Sequence, residues 1–286
     1  MSAPKLDNAT SNKQYLERTQ RNHFFIGDEL GQQRIKELKI GVAGLGGMGS
    51  NIAEYLARLG VGSLSLADAD TIDLSNINRQ VIANLSTLGK RKIDASIHEI
   101  KNIDPEIQIK EFADGVTKEN VYEFIKDCDF IVDEIDVFPV EAHQILHKAC
   151  REKNIPIYSA YVIGLGVHFY KFHGNEFTFE DFLDVGPNES PQDKLDKIID
   201  SFMSKRPEYL GIENLNEYKK MALKEGVPIF GPSCLLGHTI VLSRILCDFL
   251  DCNLLGTQLP KTPVMPEFVK VDLMTLEISV ENYLKK

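Results

Sequence analysis

Tryptophan is absent, and the five cysteines, Cys128, Cys150, Cys234, Cys247 and Cys252, include no Cys-x-x-Cys pair. An odd count without close spacing excludes a disulfide framework and a four-cysteine zinc site. Buried reduced thiols are expected instead, and no structural zinc. Excess positive charge is missing too. A net charge of −10 argues against a broad nucleic-acid partner, since phosphate binding needs a basic face, and leaves room only for a local basic pocket. No apolar run reaches the roughly 20 residues of a bilayer span, so no membrane partner is expected. The polar stretch 1–20 lacks the apolar centre of a secretory signal. Repeats and low-complexity tracts are likewise lacking. These absences predict a soluble cytoplasmic protein, and 43% hydrophobic content is enough for a full core.

What is present begins with Gly44-Leu-Gly-Gly-Met-Gly49, between an apolar run at 38–43 and a helical pattern at 50–59. Strand, glycine turn and helix together form a nucleotide-binding corner. Gly44, Gly46 and Gly47 allow a tight turn and close approach of backbone to phosphate, and the free N–H groups of the helix favour an anion. Alone, this corner does not distinguish ATP from NAD. Further strands read at 63–67, 107–112, 129–132 and 155–161, with helices at 92–103, 118–127 and 140–153. Alternating strands and helices predict an α/β fold, a Rossmann-like doubly wound, mostly parallel sheet with helices on both faces.

After Phe172 the character changes. A charged, proline-bearing crossover insert follows, with weak helical periodicity at 193–203. One apolar helix then reads at 234–250, and an alternating tail at 268–280 suits an edge hairpin of antiparallel strands. No linker divides the chain. The expected organisation is a single domain, 1–286, with a nucleotide-binding core at 21–170, an insert at 173–230 and a C-terminal helix and strands at 231–286.

Ligands of such a sheet bind beyond the carboxyl ends of the strands. Asp68, at the end of the second strand, either accepts ribose hydroxyls or closes a turn. Asp70 and Asp73 read as turn or capping residues. Asp73-Leu-Ser-Asn-Ile-Asn-Arg79-Gln80 and Gly89-Lys-Arg-Lys92 follow. In an ATP site, Arg79 grips phosphate oxygens with two N–H groups, Lys92 adds a compact charge, and Asn76 donates a hydrogen bond. Lys90 and Arg91 could equally be solvated surface. Asp133-Glu-Ile-Asp136 follows the fourth strand. Asp136, further past the strand end than Asp133, is the better candidate for Mg²⁺.

These motifs, GLGGMGS, LADAD, SNINRQ, GKRK and the acidic loop at Asp136, resemble the ThiF/MoeB family of E1-like adenylyltransferases over about residues 21–170. The resemblance implies ATP and Mg²⁺ as cofactors, Asp68 on the ribose, Asn76, Arg79 and Lys92 on the phosphates, and Asp136 on magnesium. It implies a homodimer in which an upstream arginine reaches the partner's phosphate site. Arg21 is the best match and Arg18 the fallback. The implied reaction is attack of a substrate carboxylate on the α-phosphate of ATP with release of pyrophosphate. The acceptor would be the C-terminus of a small ubiquitin-like protein or a small-molecule carboxylate. The alternatives are activation of the threonylcarbamoyladenosine tRNA dehydratase type, a non-catalytic partner subunit and an NAD-dependent oxidoreductase. The last leaves Arg79, Lys92 and Asp136 without a task.

The chain also departs from the family. It lacks the paired Cys-x-x-Cys of many members, and no cysteine lies between Cys150 and Cys234, which puts a thioester step in doubt. Val137 stands where Asn usually follows the acidic residue. His143 and His147, with Cys150 beyond, have metal-ligand spacing but read as a solvated helix face beside a core cysteine. Gly164-Leu-Gly166 reads as a bend between strands. The aromatics from Phe169 to Phe182 read as core and dimer contact.

Overall fold

The computed structural model describes residues 8–185 and 191–285. Residues 186–190 of the insert and 1–7 of the polar N-terminal stretch lie outside the described residues.

Two helices, α1 (Asn8–Ile26) and α2 (Asp28–Glu37), precede the first strand. The sequence reading missed both, because they are polar overall and show little amphipathic pattern. They are held by buried side chains such as Thr19, Gln32 and Ile35 and by directional bonds. Tyr15 Oη donates to the carbonyl of Gly60 at 2.8 Å, and Arg18 donates to the carbonyl of Ala57 at 2.7 Å and to Asp104 at 2.6 Å.

The chain then alternates: β1 (Lys39–Ala43), α3 (Gly49–Leu59), β2 (Ser63–Ala67), α4 (Lys92–Ile103), β3 (Gln108–Phe112), α5 (Val121–Phe124), β4 (Phe130–Asp133), α6 (Val140–Lys153) and β5 (Ile157–Ile163). The helix expected over 118–127 shortens to α5: residues 118–120 form a turn before it, and Asp127, at φ 61°, turns the chain after it. Next come β6 (Gly166–Phe172), α7 (Phe179–Leu183), α8 (Pro191–Phe202), α9 (Ile212–Glu225) and α10 (Gly231–Phe249). A small hairpin of β7 (Asn253–Leu254) and β8 (Thr257–Gln258) leads to β9 (Glu267–Asp272) and β10 (Glu277–Asn282). The insert therefore carries α7 and α9 in addition to the helix read at 193–203.

One eight-stranded sheet has the order β3-β2-β1-β4-β5-β6-β9-β10. The first five positions are parallel; β6, β9 and β10 run antiparallel to their neighbours. Strand order reverses between β1 and β4, so the loops leaving these strands diverge and open a crevice. Period-2 alternation gives the sheet two apolar faces. Ile40, Val42, Leu64 and Tyr158 pack under α3, α4 and α10, while Ile131, Ile157, Tyr170 and Phe172 pack under α5 to α9. The six aromatics at 169, 170, 172, 177, 179 and 182 are buried, as expected for core residues, Phe169 in the first core and the other five in the second. Gly164, at φ +64°, makes the turn between β5 and β6.

Candidate functional site

The glycine turn closes over itself. Gly44 sits at φ +88°, and a Cβ there would lie 2.2 Å from the carbonyl oxygen of Glu134. A Cβ on Gly49 would lie 1.9 Å from the carbonyl oxygen of Gly44. A Cβ on Gly46 would meet nothing nearer than Gln80 Nε2 at 3.9 Å, so that side of the residue is open, while its carbonyl accepts from Ser50 N at 3.1 Å and Ser50 Oγ at 2.7 Å. Gly47 is bare for another reason: a Cβ would meet Cys234 Sγ at 3.0 Å and Arg79 Cδ at 3.2 Å. The missing side chain lets Arg79 lie across the turn.

Asp68 braces this corner. One of its oxygens accepts from Leu45 N at 2.6 Å and the other from Asp70 N at 2.8 Å. Burial raises its carboxyl above the usual range, opposed by the charge of Lys92. Lys92 is nearly buried at the start of α4 and donates to Asp70 at 2.7 Å. Asp70 is therefore an ion-pair partner, not only the turn residue expected. Asp73 caps the following 3₁₀ turn, as expected, in a reciprocal pair with Asn76, whose Oδ1 accepts from Asp73 N at 3.0 Å. Arg79 donates through Nη1 to the carbonyl of Ser75 and to Asn78 Oδ1, while its buried Nε has no partner. Arg91 pairs with Asp94 and Glu111 on the surface, in keeping with the surface reading for that residue.

The acidic loop holds two carboxylates in opposite situations. Asp133 is fully buried and accepts from His143 Nδ1 at 2.6 Å and His147 Nε2 at 2.9 Å. The expectation of a solvated histidine face is thus corrected: both rings are buried against Phe179. Sequence spacing alone could not orient α6, but an acid ten residues before an i, i+4 histidine pair was the available signal. Burial opposes ionisation of Asp133, yet the imidazoles override it and hold the carboxyl well below the usual range. His143 is bonded at both nitrogens, the second to the carbonyl of Asp136 at 3.0 Å. Burial disfavours its cation, but Asp133 prevails and raises its pKa; His147, dominated by burial, is shifted down. Asp133, His143 and His147 thus satisfy one another as a core network, although their ligand atoms are close enough to hold a metal. Asp136 is exposed, and its carboxylate accepts only from the adjacent Val137 N, at 2.9 Å.

Gly44, Gly46, Gly47, Asp68, Asn76, Arg79, Lys92 and Asp136 all line one cleft of about 620 Å³. Arg21 does not line it and is exposed on α1. Arg18, the fallback, donates to the carbonyl of Ala57 and pairs with Asp104. Cys234 also lines the cleft; it is buried, and burial pushes its thiol up to about 11, in keeping with the packing expected of the buried cysteines. The sequence reading named nothing on the opposite wall, which comes from β5, α8 and α9 and includes Tyr161, Phe202, Met203 and Tyr218.

The chain matches the ThiF family over residues 18–232. It is 38% identical over 148 residues to the tRNA threonylcarbamoyladenosine dehydratase of Bacillus subtilis, covering 51% of this chain and 56% of that protein. It is 31% identical over 153 residues to the SAMP-activating enzyme E1 of Haloferax volcanii, covering 54% and 53%. The chain thus spans about half the length of these curated relatives. Among solved structures, Escherichia coli MccB with succinimide superposes with a TM-score of 0.68 at 18% identity, covering 94% of this chain and 71% of that one, a likeness of fold.

Proposed function

The protein belongs to the ThiF family, whose match takes in most of the chain, and on that premise we propose that it is an ATP-dependent adenylyltransferase activating a substrate carboxylate as an acyl-adenylate. One observation carries this reading. Arg79, with a buried unpartnered Nε, Lys92 and the open Asp136 carboxylate meet in one cleft beside Gly46, where a side chain would find open space. A dinucleotide oxidoreductase has no task for that set, and a non-catalytic subunit has no need to keep it.

Asp68 accepts the ribose hydroxyls with a carboxylate already oriented by Leu45 and Asp70. The turn's N–H groups and the start of α3 face the phosphates, which Asn76, Arg79 and Lys92 hold. Asp70 keeps the Lys92 ammonium at its post. The donor set suits a divalent cation: Asp68, Asp70, Asp73, Asp114 and Asp136 face Arg79 and Lys92 on the described lining of the cleft, and a triphosphate adds further negative charge. Asp136 would hold Mg²⁺, which supplies positive charge to the phosphate oxygens. An acceptor carboxylate oxygen bonds to the α-phosphorus, the bond to the bridging oxygen breaks, and pyrophosphate leaves with the electron pair. No protein nucleophile is required; positioning two anions and neutralising their charge supplies the catalysis.

In this reading residues 21–170 bind the nucleotide, 173–230 face the acceptor and 231–286 complete the domain. The protein works in the cytoplasm as a homodimer, with Arg21 of each subunit completing its partner's phosphate site. The acceptor is a ubiquitin-like C-terminus or a smaller carboxylate. The likeness to the tRNA dehydratase favours a modified base as a second reading, against which the net charge of −10 weighs.

Thermal unfolding with ATP·Mg²⁺, ATP alone, NAD and NADP tests the proposal, because a ligand bound only by the folded state raises the melting temperature. ATP·Mg²⁺ stabilises the wild type, Arg79→Ala loses that stabilisation, and in Asp136→Ala it becomes independent of metal. Stabilisation by NAD and not by ATP overturns the proposal.

A further inference from the structure

The cleft separates its charges. Every charged side chain on its described lining lies between Asp68 and Asp136. From Ala160 onward the lining residues carry no charge, and the far wall is built from Tyr161, Ile199, Phe202, Met203, Tyr218 and Ala222. Ile199, Phe202, Met203 and Ala222 are almost fully buried, so this is a face of the hydrophobic core opened to the cleft, not a wetted surface. The two walls meet where Tyr218 comes close to Asp136. Burial, and then the charge of Asp136, push the Tyr218 hydroxyl above its ordinary range.

A charged group placed beyond Asp136 would be desolvated against these side chains with no opposite charge to meet it, and the polar atoms of this wall are the Tyr218 hydroxyl and the Tyr161 hydroxyl, which is itself buried without a partner. A ligand suited to both walls is anionic at the end facing Arg79 and Lys92 and apolar at the other. A glycine terminus would leave the apolar wall uncovered. We propose that the acceptor carries its reactive carboxylate on a residue with an aliphatic or aromatic side chain, which fills the lobe between β5, α8 and α9. The proposal rests on the adenylyltransferase reading and adds the class of acceptor.

N-acetylated hexapeptides of alanine ending in Gly, Asp, Leu or Phe test it. Binding is measured by calorimetry with and without ATP·Mg²⁺, and turnover by pyrophosphate exchange. The Leu and Phe peptides bind on the order of tenfold or more tighter than the Gly peptide, since even one methylene in an apolar pocket is worth about tenfold or more, and the Asp peptide gains nothing. Ala222→Phe, which fills the lobe, removes the preference. Val227→Asp, at a half-buried position on the same wall, weakens the Leu and Phe peptides and guards against misfolding of the first variant. Equal or tighter binding of the Gly or Asp peptide overturns the proposal, as does absence of binding by all four. So does an Ala222→Phe protein whose affinity for ATP falls as far as its affinity for the Phe peptide, because the lobe would then seat the nucleobase. Peptide preference without any ATP stabilisation overturns the adenylation reading and leaves the apolar lobe; ATP stabilisation without peptide preference does the reverse.

Discussion

The two walls of the cleft are built on different principles. The wall from Gly44 to Asp136 is made of loops at strand ends, and its side chains are held one by one: Asp68 by two backbone N–H groups, Lys92 by Asp70, Asn76 by Asp73. The wall from Tyr161 to Val227 is made of helix and strand faces, and its side chains are held by being buried together. Polar groups need directional partners at fixed spacing, whereas apolar groups need only a shared interior. The first wall can therefore be damaged at single atoms, and the second by changes of volume or charge.

The largest effect is expected at the turn. Gly49→Val forces a Cβ against the carbonyl oxygen of Gly44, 1.9 Å away, and should cost more than about 4 kcal/mol, the range of severe core lesions, by urea denaturation. A well-folded variant would mean that the loop wall tolerates volume as the helical wall does. Asp133→Ala comes next. It leaves His143 and His147 buried without their acceptor and should cost about 3–5 kcal/mol, as for a broken buried pair. An unchanged denaturation midpoint would disprove that the loop is anchored through this network.

Arg79→Ala should leave unfolding in the absence of ligand nearly unchanged while weakening ATP by about 1.5–3 kcal/mol, the worth of a charged hydrogen bond, measured by calorimetry. Equal losses in stability and binding would blur the distinction between the walls. The fourth prediction concerns pH. Burial, then Lys270, lower the pKa of His168 to about 3, with Asp272 opposing. Its folded pKa lies below its unfolded value near 6.5, so the unfolded state takes up the proton first, and stability falls as pH drops below about 6.5. The loss approaches about 1.4 kcal/mol per pH unit from this group. His168→Gln should flatten the denaturation midpoint between pH 7 and 5; an unchanged slope would assign the acid loss to other groups. The smallest effect belongs to Arg91→Ala. Exposed and paired only at the surface, it should alter neither stability nor ATP binding measurably, whereas Lys92→Met, one residue on, should weaken ATP.

The same contrast explains what could be read in advance. Gly44, Asp68, Asn76, Arg79, Lys92 and Asp136 stood at motif spacings, and the structure brings all of them to one cleft. The bounds of α4 and α6 also agree with the periodicity, because each presents one apolar stripe to a sheet face. The helices α1 and α2 escaped because they are polar overall and the residues they bury, Tyr15, Thr19, Gln32 and Ile35 among them, form no repeating apolar stripe. His143 and His147 were misread because spacing gives the face two residues share but not which way that face points. The apolar wall left no sequence signal of its own: Ile199, Phe202 and Met203 serve the core and the cleft at once, and nothing in their order distinguishes the two uses.

The bareness of Gly47 has one more consequence. The atoms nearest its missing side chain belong to Arg79 and to Cys234 in the first turn of α10, and a Cβ on Gly231 would lie 2.7 Å from the carbonyl oxygen of Asn78. A segment translated late thus forms the backing of a loop translated early. Such long-range closure is a slow feature of topology. A nascent chain that has emerged only through Phe172 already carries every motif of the nucleotide corner, but the surface that seats Arg79 has yet to be made.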